Sequence, residues 1–223
     1  MTAALQLLVK SRHCCRNFDR SRIVSKSTVE NILDAARNAP SSQNNQPWRC
    51  YVIQGEKLSG LSSILVDSFL KNLATAPAPY KNRPDQLDEL QSKGIDDYAS
   101  WWFQEKNGVD RQDQQGRRQL YLRNYEFYGA TTHVIVSVPN GAVAGTFLDA
   151  GCFIQNMLIA AAAEGLGAIP QYSIAAQYKL IKQYLSIESD DIFVAGISLG
   201  YPVDEVIEGP PRHSLDSFVK WYE

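Results

Sequence analysis

The chain has 223 residues, of which 44% are hydrophobic and 21% charged, and this is enough for one domain with a substantial core. A net charge of −2 gives no reason to expect a nucleic-acid partner. The N-terminal residues lack a signal-peptide pattern, no stretch approaches the roughly 18 apolar residues of a membrane span, and the four cysteines lack metal-ligand spacing, so we expect a cytoplasmic protein with reduced thiols and no membrane partner.

The first part of the chain predicts three helices and one strand. Apolar residues at helical spacing predict a short amphipathic helix over about 3–11. Ser27, followed by Glu30 three residues later, fits a capping box at the start of a second helix that ends at Pro40. The run "WRCYVIQG" predicts a strand, and "EKLSGLSSILVDSFLKNLA" predicts a third helix.

From about residue 77 to 123 the composition becomes polar, with many Gln, Asp and Arg residues around an aromatic cluster at 98–103. This composition indicates an inserted excursion in a single domain that spans 1–223. A buried strand follows at "HVIVSVP", then a buried helix at "FLDAGCFIQNMLIAAAAEGLG" that ends at Gly165 or Gly167. A short helix at "IKQYLSI" and a strand at "DDIFVAGISLGYP" complete the predicted elements.

Helices and strands alternate loosely, without a strict strand–helix–strand repeat, so the pattern favours an α+β fold over a doubly wound sheet. The tail from residue 203 carries exposed aromatic residues and no partner helix of its own. We therefore expect it to extend to a second subunit.

Three common kinds of active site are excluded by their missing motifs. The two glycines of "EGLGAIP" follow a helix rather than a strand, so they fail as a dinucleotide fingerprint and indicate a helix end. No serine stands in a G-x-S-x-G elbow, and the chain has only His13, His133 and His213. No H-E-x-x-H motif or cysteine pair predicts a metal site, and His133 is predicted to be a structural residue in a strand.

Arginines and neutral polar residues remain as the candidate site. Arg12 and Arg16 lie in "SRHCCRNF", Arg212 lies in "GPPRHSLD", and six uncharged polar residues run from Ser41 to Gln46. Guanidinium groups suit a phosphate, and Ser, Asn and Gln suit a polyol and a ring edge. The pattern therefore predicts a site for a phosphorylated, sugar-like heterocycle, although surface salt bridges and an ordinary loop would give the same residues.

These residues belong to a set of motifs that resembles the FMN-dependent nitroreductases over nearly the whole chain. The motifs are "SRHCCRNF", "ILDAARNAPSSQNNQPWRCYVI", "RNYEFYGA", "GLGAIPQYS", "GISLGYP" and "PPRHSLD", in this order. The excursion before "NYEFYGA" resembles that of the subgroup that reduces nitrobenzoate and other nitroaromatic compounds. The resemblance implies a mixed, mostly antiparallel sheet flanked by helices. It also implies a homodimer with FMN at the interface and a C-terminal arm that reaches the partner subunit.

The resemblance also implies which residues contact the cofactor and the substrate. The cofactor contacts are Arg12, His13, Cys14, Arg16, Pro40, Ser41, Ser42, Asn44, Asn124, Pro170, Gln171, Tyr172 and Arg212. The substrate contacts are Trp101, Trp102, Phe103 and Phe127.

Each group of cofactor contacts is assigned to one part of FMN. Residues 12–14 lie at the phosphate and ribityl end, and the family usually has Ser in place of Cys14. Arg212 also lies at the phosphate, and Pro210 stands where some members have a lysine. Arg16 is placed at the pyrimidine edge, Asn124 near the isoalloxazine, and residues 170–172 over one edge of the ring, with a backbone N–H to N5. Ser41, Ser42 and Asn44 contact the flavin from the partner subunit.

The implied activity is hydride transfer from NAD(P)H through FMN to a flat nitroaromatic acceptor by a ping-pong mechanism, without a catalytic side chain or a metal. The same scaffold also fits a reductase or dehydrogenase of a quinone, an enone, a halogenated phenol or a biosynthetic intermediate. A non-catalytic flavin-binding module is a further alternative.

Overall fold

The computed structural model describes residues 3–73, 77–203 and 209–223. These residues form two compact units, the first within Met1–Tyr80 and Leu122–Ile207 and the second within Lys81–Tyr121 and Glu208–Glu223. The second unit falls in the predicted excursion and the tail, while the single domain over 1–223 stays a prediction.

The first unit contains most of the regular structure. Its helices are α1 (Ala3–Ser11), α2 (Lys26–Ala36), α3 (Gly55–Leu70), α6 (Ala144–Ala163), α7 (Tyr172–Ala175) and α8 (Tyr178–Leu185). Its strands are β1 (Arg49–Gln54), β2 (Thr132–Val138), β3 (Gly167–Gln171) and β4 (Ile192–Gly200). The helices of the excursion are α4 (Glu89–Ala99) and α5 (Gln114–Leu122).

The four strands form one antiparallel sheet in the order β1-β2-β4-β3. β2 and β4 lie at the centre, and their runs of apolar, largely β-branched residues are almost entirely buried because both faces of the sheet are covered. On one face the sheet packs with α2 and α6, through residues such as Ile32, Val134 and Met157. On the other face, Ile135 lies in a cluster with Leu61 of α3 and with apolar residues of α7 and α8. The predicted α+β fold with a mostly antiparallel sheet is confirmed.

The start of α2 differs from the prediction. Ser25, not Ser27, is the N-cap, and its hydroxyl accepts the backbone N–H of Thr28 at 3.0 Å. Glu30 does not close a capping box but lies 3.6 Å from the ammonium of Lys26. The two serines offer the same local signal, and the hydroxyl that reaches the amide three residues later decides between them.

The segment after α6 also differs from the prediction. α6 ends at Ala163, and Gly165 follows with a φ of +72°, so the predicted helix end is correct. The next residues, "GAIPQ", then form β3, which the sequence analysis did not predict. β3 is an edge strand, where a proline without a backbone N–H is tolerated.

The predicted burial of α6 is correct on one side only. Phe153, Met157 and Leu158 lie in the core, whereas the side chain of Leu148 is 69% exposed. Among the described residues, α6 is the one helix that is long and apolar enough to span a membrane. Core helices of globular proteins pass the same test, so this is weak evidence for a span.

In the second unit, α4 begins with a capping box between Asp88 and Gln91 and continues as a π-helical turn over Ser100–Glu105. This turn buries Trp101 and Phe103 and leaves Trp102 half-buried. The guanidinium of Arg117 lies over the Phe103 ring at 4.2 Å. The aromatic cluster thus forms a small local core inside the excursion.

The tail of the second unit ends in exposed aromatic residues. The side chains of Trp221 and Tyr222 are 79% and 91% exposed. The expected contact of this tail with a partner subunit stays a prediction.

Candidate functional site

The residues that follow α1 lie along β3. Cys14 forms a parallel bridge with Ala168, and the N–H of Cys15 donates to the carbonyl of Ala168 at 3.1 Å. The backbones approach closely because position 167 is a glycine, where a Cβ atom would lie 2.7 Å from the Cβ of Cys15. The predicted contacts at 12–16 and at 170–172 are therefore on the same edge of the sheet.

Half-buried arginines lie on and beside the segment that pairs with β3. Within the part of the chain that the structure describes, the guanidinium of Arg12 has no hydrogen bond and no ion pair. Arg16 donates through Nη1 to the carbonyl of Cys14 at 3.2 Å, and its own carbonyl accepts from Nη2 of Arg123 at 2.6 Å. Nδ1 of His13 lies 3.1 Å from the carbonyl of Ser11. Arg12 is thus a positive group without an acidic partner in the described residues.

The six polar residues from Ser41 to Gln46, called the polar turn below, include residues with positive φ angles. Gln43, Asn44 and Gln46 have φ values of 50°, 58° and 47°. The left-handed region is disfavoured for residues other than glycine, by about 1–3 kcal/mol each. The turn is held by hydrogen bonds from the N–H of Gln46 to Oγ of Ser41 at 2.9 Å and from its side-chain amide to the carbonyl of Asn44 at 3.2 Å. Ser42 and Asn44 are exposed and Ser41 is half-buried.

Asp149, on α6, anchors the same turn and was missed in the sequence analysis. Its carboxylate is 8% exposed and accepts the N–H of Ser42 at 3.3 and 3.2 Å from its two oxygens. An acidic residue inside the otherwise apolar run "FLDAGCF" was the signal that could have indicated it.

We expect Asp149→Ala to lower the free energy of unfolding by about 1.5–3 kcal/mol, because the part-buried hydrogen bonds between the Ser42 N–H and this carboxylate are lost. Asp149→Asn keeps an acceptor oxygen and should lose less than half of that. Urea unfolding of both variants measures the difference. Equal losses in the two variants would contradict the proposed anchor.

Asn124, Gln171 and Ser173 meet at the end of β3. Nε2 of Gln171 donates to the main-chain carbonyl of Asn124 at 2.9 Å and to its Oδ1 at 3.4 Å. The hydroxyl of Ser173 donates to the same Oδ1 at 3.2 Å. The Gln171 side chain is 3% exposed, so it points into the protein, and only its backbone remains for the predicted cofactor contact.

Tyr172 is tied to Tyr80, a second residue missed in the sequence analysis. The hydroxyl of Tyr172 donates to the carbonyl of Tyr80, and the hydroxyl of Tyr80 donates to the carbonyl of Val194 at 2.5 Å. Burial raises the pKa of Tyr80 to about 12 and also raises the pKa of Tyr172, so both hydroxyls stay protonated donors. The Tyr80 ring also packs on Phe147, with ring centroids 4.8 Å apart.

The remaining predicted contacts fall in the second unit, beside the polar turn, on β3 or in the core. Arg212, Trp101, Trp102 and Phe103 belong to the second unit. Pro40, at the start of the polar turn, is exposed, and Pro170 is half-buried. Phe127 is 1% exposed and packs on the ring of His133 at 4.4 Å, so we leave it out of the proposed substrate contacts.

The donor set fits FMN. Arg12, without a partner in the described residues, suits the phosphate, and neutral hydroxyl and amide groups suit the ribityl chain and the ring. The described residues contain no group of three or more His, Cys, Asp or Glu side chains that could hold a metal ion.

Comparison with known proteins agrees with the motifs. A model described as "Nitroreductase family" matches residues 9–201. The chain is 31% identical to a nitrobenzene nitroreductase of Ectopseudomonas oleovorans over 87% of this chain and 85% of that protein. It is also 31% identical to a 4-nitrobenzoate reductase of Pseudomonas putida, over 90% of this chain and 86% of that protein.

A solved structure has the same fold over nearly its full length. It is the FMN-dependent nitroreductase NfnB from Mycobacterium smegmatis in complex with NADPH, with a TM-score of 0.91, 23% identity and coverage of 99% of this chain and 98% of that one. The resemblance inferred from the motifs is thereby confirmed, and the chain belongs to the nitroreductase family.

Proposed function

We propose that this protein is an FMN-dependent oxidoreductase that uses NAD(P)H to reduce nitroaromatic or related flat, electron-poor acceptors. The observation that carries the proposal is the edge of β3, where the segment after α1 pairs through Cys14 with Ala168 and Asn124 lies at the end of the strand. This segment bears Arg12, whose guanidinium has no acidic partner in the described residues. The names of the relatives, a nitrobenzene nitroreductase and a 4-nitrobenzoate reductase, support the acceptor class. FMN and NADPH in the name of the NfnB structure support the cofactor and the donor.

In this proposal, the chain's own residues bind FMN and orient it. Arg12, His13, Cys14 and Arg212 hold the phosphate end. Arg16 keeps a positive charge at the pyrimidine edge, which favours an anionic ring. Bound FMN supplies the hydride transfer, so no side chain serves as acid, base or nucleophile.

The remaining cofactor contacts orient the ring and its polyol. Asn124 contacts the ring through its side-chain amide, and residues 170–172 line one ring edge through their backbone. Pro40 and, in the polar turn, Ser41, Ser42 and Asn44 reach the FMN of the partner subunit. We propose a cytoplasmic homodimer built from a single domain, with FMN at the interface and the C-terminal arm on the partner.

The visible absorption spectrum of the purified protein, before and after anaerobic NADPH, tests the proposal. We expect flavin bands that bleach with NADPH and return when a nitrobenzoate is added. Flavin bands that never bleach would contradict the reductase. They would instead indicate a non-catalytic flavin-binding module or an enzyme that takes electrons from another substrate. Absence of flavin after reconstitution with FMN would overturn the function altogether.

Cys14 stands where the family usually has a serine, and we expect Cys14→Ser to tighten FMN binding. A hydroxyl forms a stronger hydrogen bond with a phosphate than a thiol does, and a net gain of about 0.5–1.5 kcal/mol lowers Kd roughly 2- to 12-fold. Quenching of FMN fluorescence measures Kd. Cys152→Ser, a half-buried thiol on α6, is the matched control and should leave Kd unchanged. A Kd for Cys14→Ser equal to that of the control would contradict the phosphate contact.

Trp102 is the aromatic residue of the π-helical turn that stays half-buried, between two buried neighbours. If it stacks on the substrate, Trp102→Ala should raise KM for a nitroaromatic about 3- to 10-fold, with FMN content unchanged. Trp102→Phe keeps a ring and should restore most of the KM. Steady-state rates of the wild type, Trp102→Ala and Trp102→Phe measure the change in KM. Unchanged kinetics in Trp102→Ala would contradict the proposed substrate contact.

A further inference from the structure

A chain of buried polar groups leads from the centre of the sheet to Asn124. Nδ1 of His133, on β2, lies 3.0 Å from Oγ of Ser198 on β4. This hydroxyl donates to Oε1 of Gln171 at 2.5 Å, and Nε2 of Gln171 donates to Asn124. His133 and Ser198 are 0% exposed. Nothing in the flavin chemistry requires polar side chains at the centre of a sheet, where apolar residues would pack as well.

We propose that His133, Ser198 and Gln171 are positioning residues that fix the side-chain amide of Asn124 with its nitrogen directed away from Gln171, as a donor for the flavin ring. The inference rests on the proposed function, because these residues would decide whether Asn124 offers a donor or an acceptor to FMN.

The donor and acceptor of each hydrogen bond in this series follow from one group that can only accept. The main-chain carbonyl of Asn124 only accepts, so the atom of Gln171 that faces it at 2.9 Å is the NH2 group. The Gln171 oxygen therefore faces Ser198 and accepts the single hydroxyl hydrogen of that serine. With its hydrogen committed, the Ser198 oxygen accepts from the ring of His133, so Nδ1 of His133 carries the hydrogen.

The side-chain amide of Asn124, at the other end of this series of hydrogen bonds, also has a defined orientation. The NH2 group of Gln171 also faces the side chain of Asn124, and the hydroxyl of Ser173 donates to the same atom. Two donors there require an acceptor, so this atom is Oδ1 and Nδ2 points the other way. The amide of Asn124 therefore directs its oxygen toward Gln171 and Ser173 and its nitrogen away from them.

The surroundings of the imidazole exclude the opposite tautomer. Nε2 of His133 has no hydrogen-bond partner in the described structure, and it faces Gly196, where a Cβ atom would lie 2.3 Å away. A hydrogen on Nε2 would be a buried, unsatisfied donor, which is disfavoured by roughly 1–3 kcal/mol. It would also leave two acceptors facing each other between His133 and Ser198. An unprotonated Nε2 leaves only an unused lone pair.

The first part of the test reads the tautomer in the FMN-free protein. The chain has three histidines, so 15N-histidine labelling gives a simple NMR spectrum, and His133→Gln identifies the relevant signals. We expect an unprotonated Nε2 and a protonated Nδ1 for His133. Ser198→Thr, which keeps a hydroxyl, should preserve this tautomer. A protonated Nε2 in the wild-type protein would overturn the proposal, whether or not any variant folds.

The second part reads the effect on FMN binding through a double-mutant cycle. Ser198→Ala should raise the Kd for FMN about tenfold, Asn124→Ala should do the same, and the double variant should be no worse than either alone. Ser198→Thr should restore binding. Ser137→Ala is the matched control, because that buried hydroxyl on β2 has no hydrogen-bond partner in the described structure, and its Kd should stay unchanged.

The outcomes separate the two proposals. Additive effects of Ser198→Ala and Asn124→Ala, in a protein that binds FMN, would overturn the positioning role and leave the proposed function intact. A Ser198→Ala variant that behaves like Ser137→Ala would do the same. A wild-type protein that binds no FMN would overturn both, even with the expected His133 tautomer.

Discussion

Gly196→Ala is expected to lower the free energy of unfolding by about 3 kcal/mol or more, at the upper end of overpacking effects. The added Cβ would lie 2.3 Å from Nε2 and 2.7 Å from Cε1 of His133, and 2.8 Å from Cγ2 of Ile174. Both side chains are 0% exposed, and Gly196 pairs with Ile135 and Gln171 in the middle of the sheet. Neither the ring nor the strand has room to move.

Urea unfolding of the FMN-free variant measures this loss. Gly145→Ala, in the first turn of α6, is the control because nothing lies within 4 Å of the added atom, and it should be neutral or slightly stabilising. Adding His133→Ala to Gly196→Ala removes two of the three close contacts. The double variant should therefore be more stable than the sum of the two single losses predicts. A loss below 1 kcal/mol for Gly196→Ala would mean that the sheet relaxes around the site.

Acid is expected to lower the free energy of unfolding through the buried His133. Burial lowers the pKa of His133 to about 3. The unfolded value is about 6.5, so between these two values the unfolded chain binds a proton that the folded chain does not. The stability that the neutral ring contributes is complete above pH 6.5 and falls as the pH drops toward 3, by up to about 1.4 kcal/mol per pH unit.

Between pH 7.5 and 4.5, this amounts to roughly 3 kcal/mol for His133 alone. Carboxylates also titrate in this range, so the measurement compares the FMN-free wild type with His133→Gln, which has no proton to gain. The wild type should lose about 3 kcal/mol more than the variant over this interval. Parallel pH dependences of the two proteins would show that His133 titrates normally in the fold.

The sequence predicted the elements whose local pattern agrees with the final structure. β2 and β4 are runs of apolar and β-branched residues, and they were found because burial of both sheet faces selects such runs. β1 was found from its aromatic and β-branched residues, although Ile53 is its one buried side chain. β3 was missed because Gly167 and Pro170 are local signals for a turn. Only its place at the sheet edge makes a strand acceptable there, and that place is a property of the whole fold.

In the candidate site, too, local sequence signals were recognised and properties of the whole fold were not. The polar turn and the arginines stand out locally, and their order along the chain carried the resemblance to the family. The roles of Asp149 and Ser198 could not be predicted, because their partners Ser42 and Gln171 are 107 and 27 residues away in the sequence. A single polar residue in an apolar run signals a buried partner, but the run itself does not indicate which partner.

The segment that bears Cys14 and Cys15 has a consequence for solubility. An unpaired strand edge is a template for pairing with other chains. β3 is such an edge, but the cofactor-binding segment covers its beginning through Ala168, and Pro170 lacks an N–H near its end. Residues proposed to bind a cofactor therefore also protect the sheet against edge-to-edge aggregation, and selection on either property constrains the other.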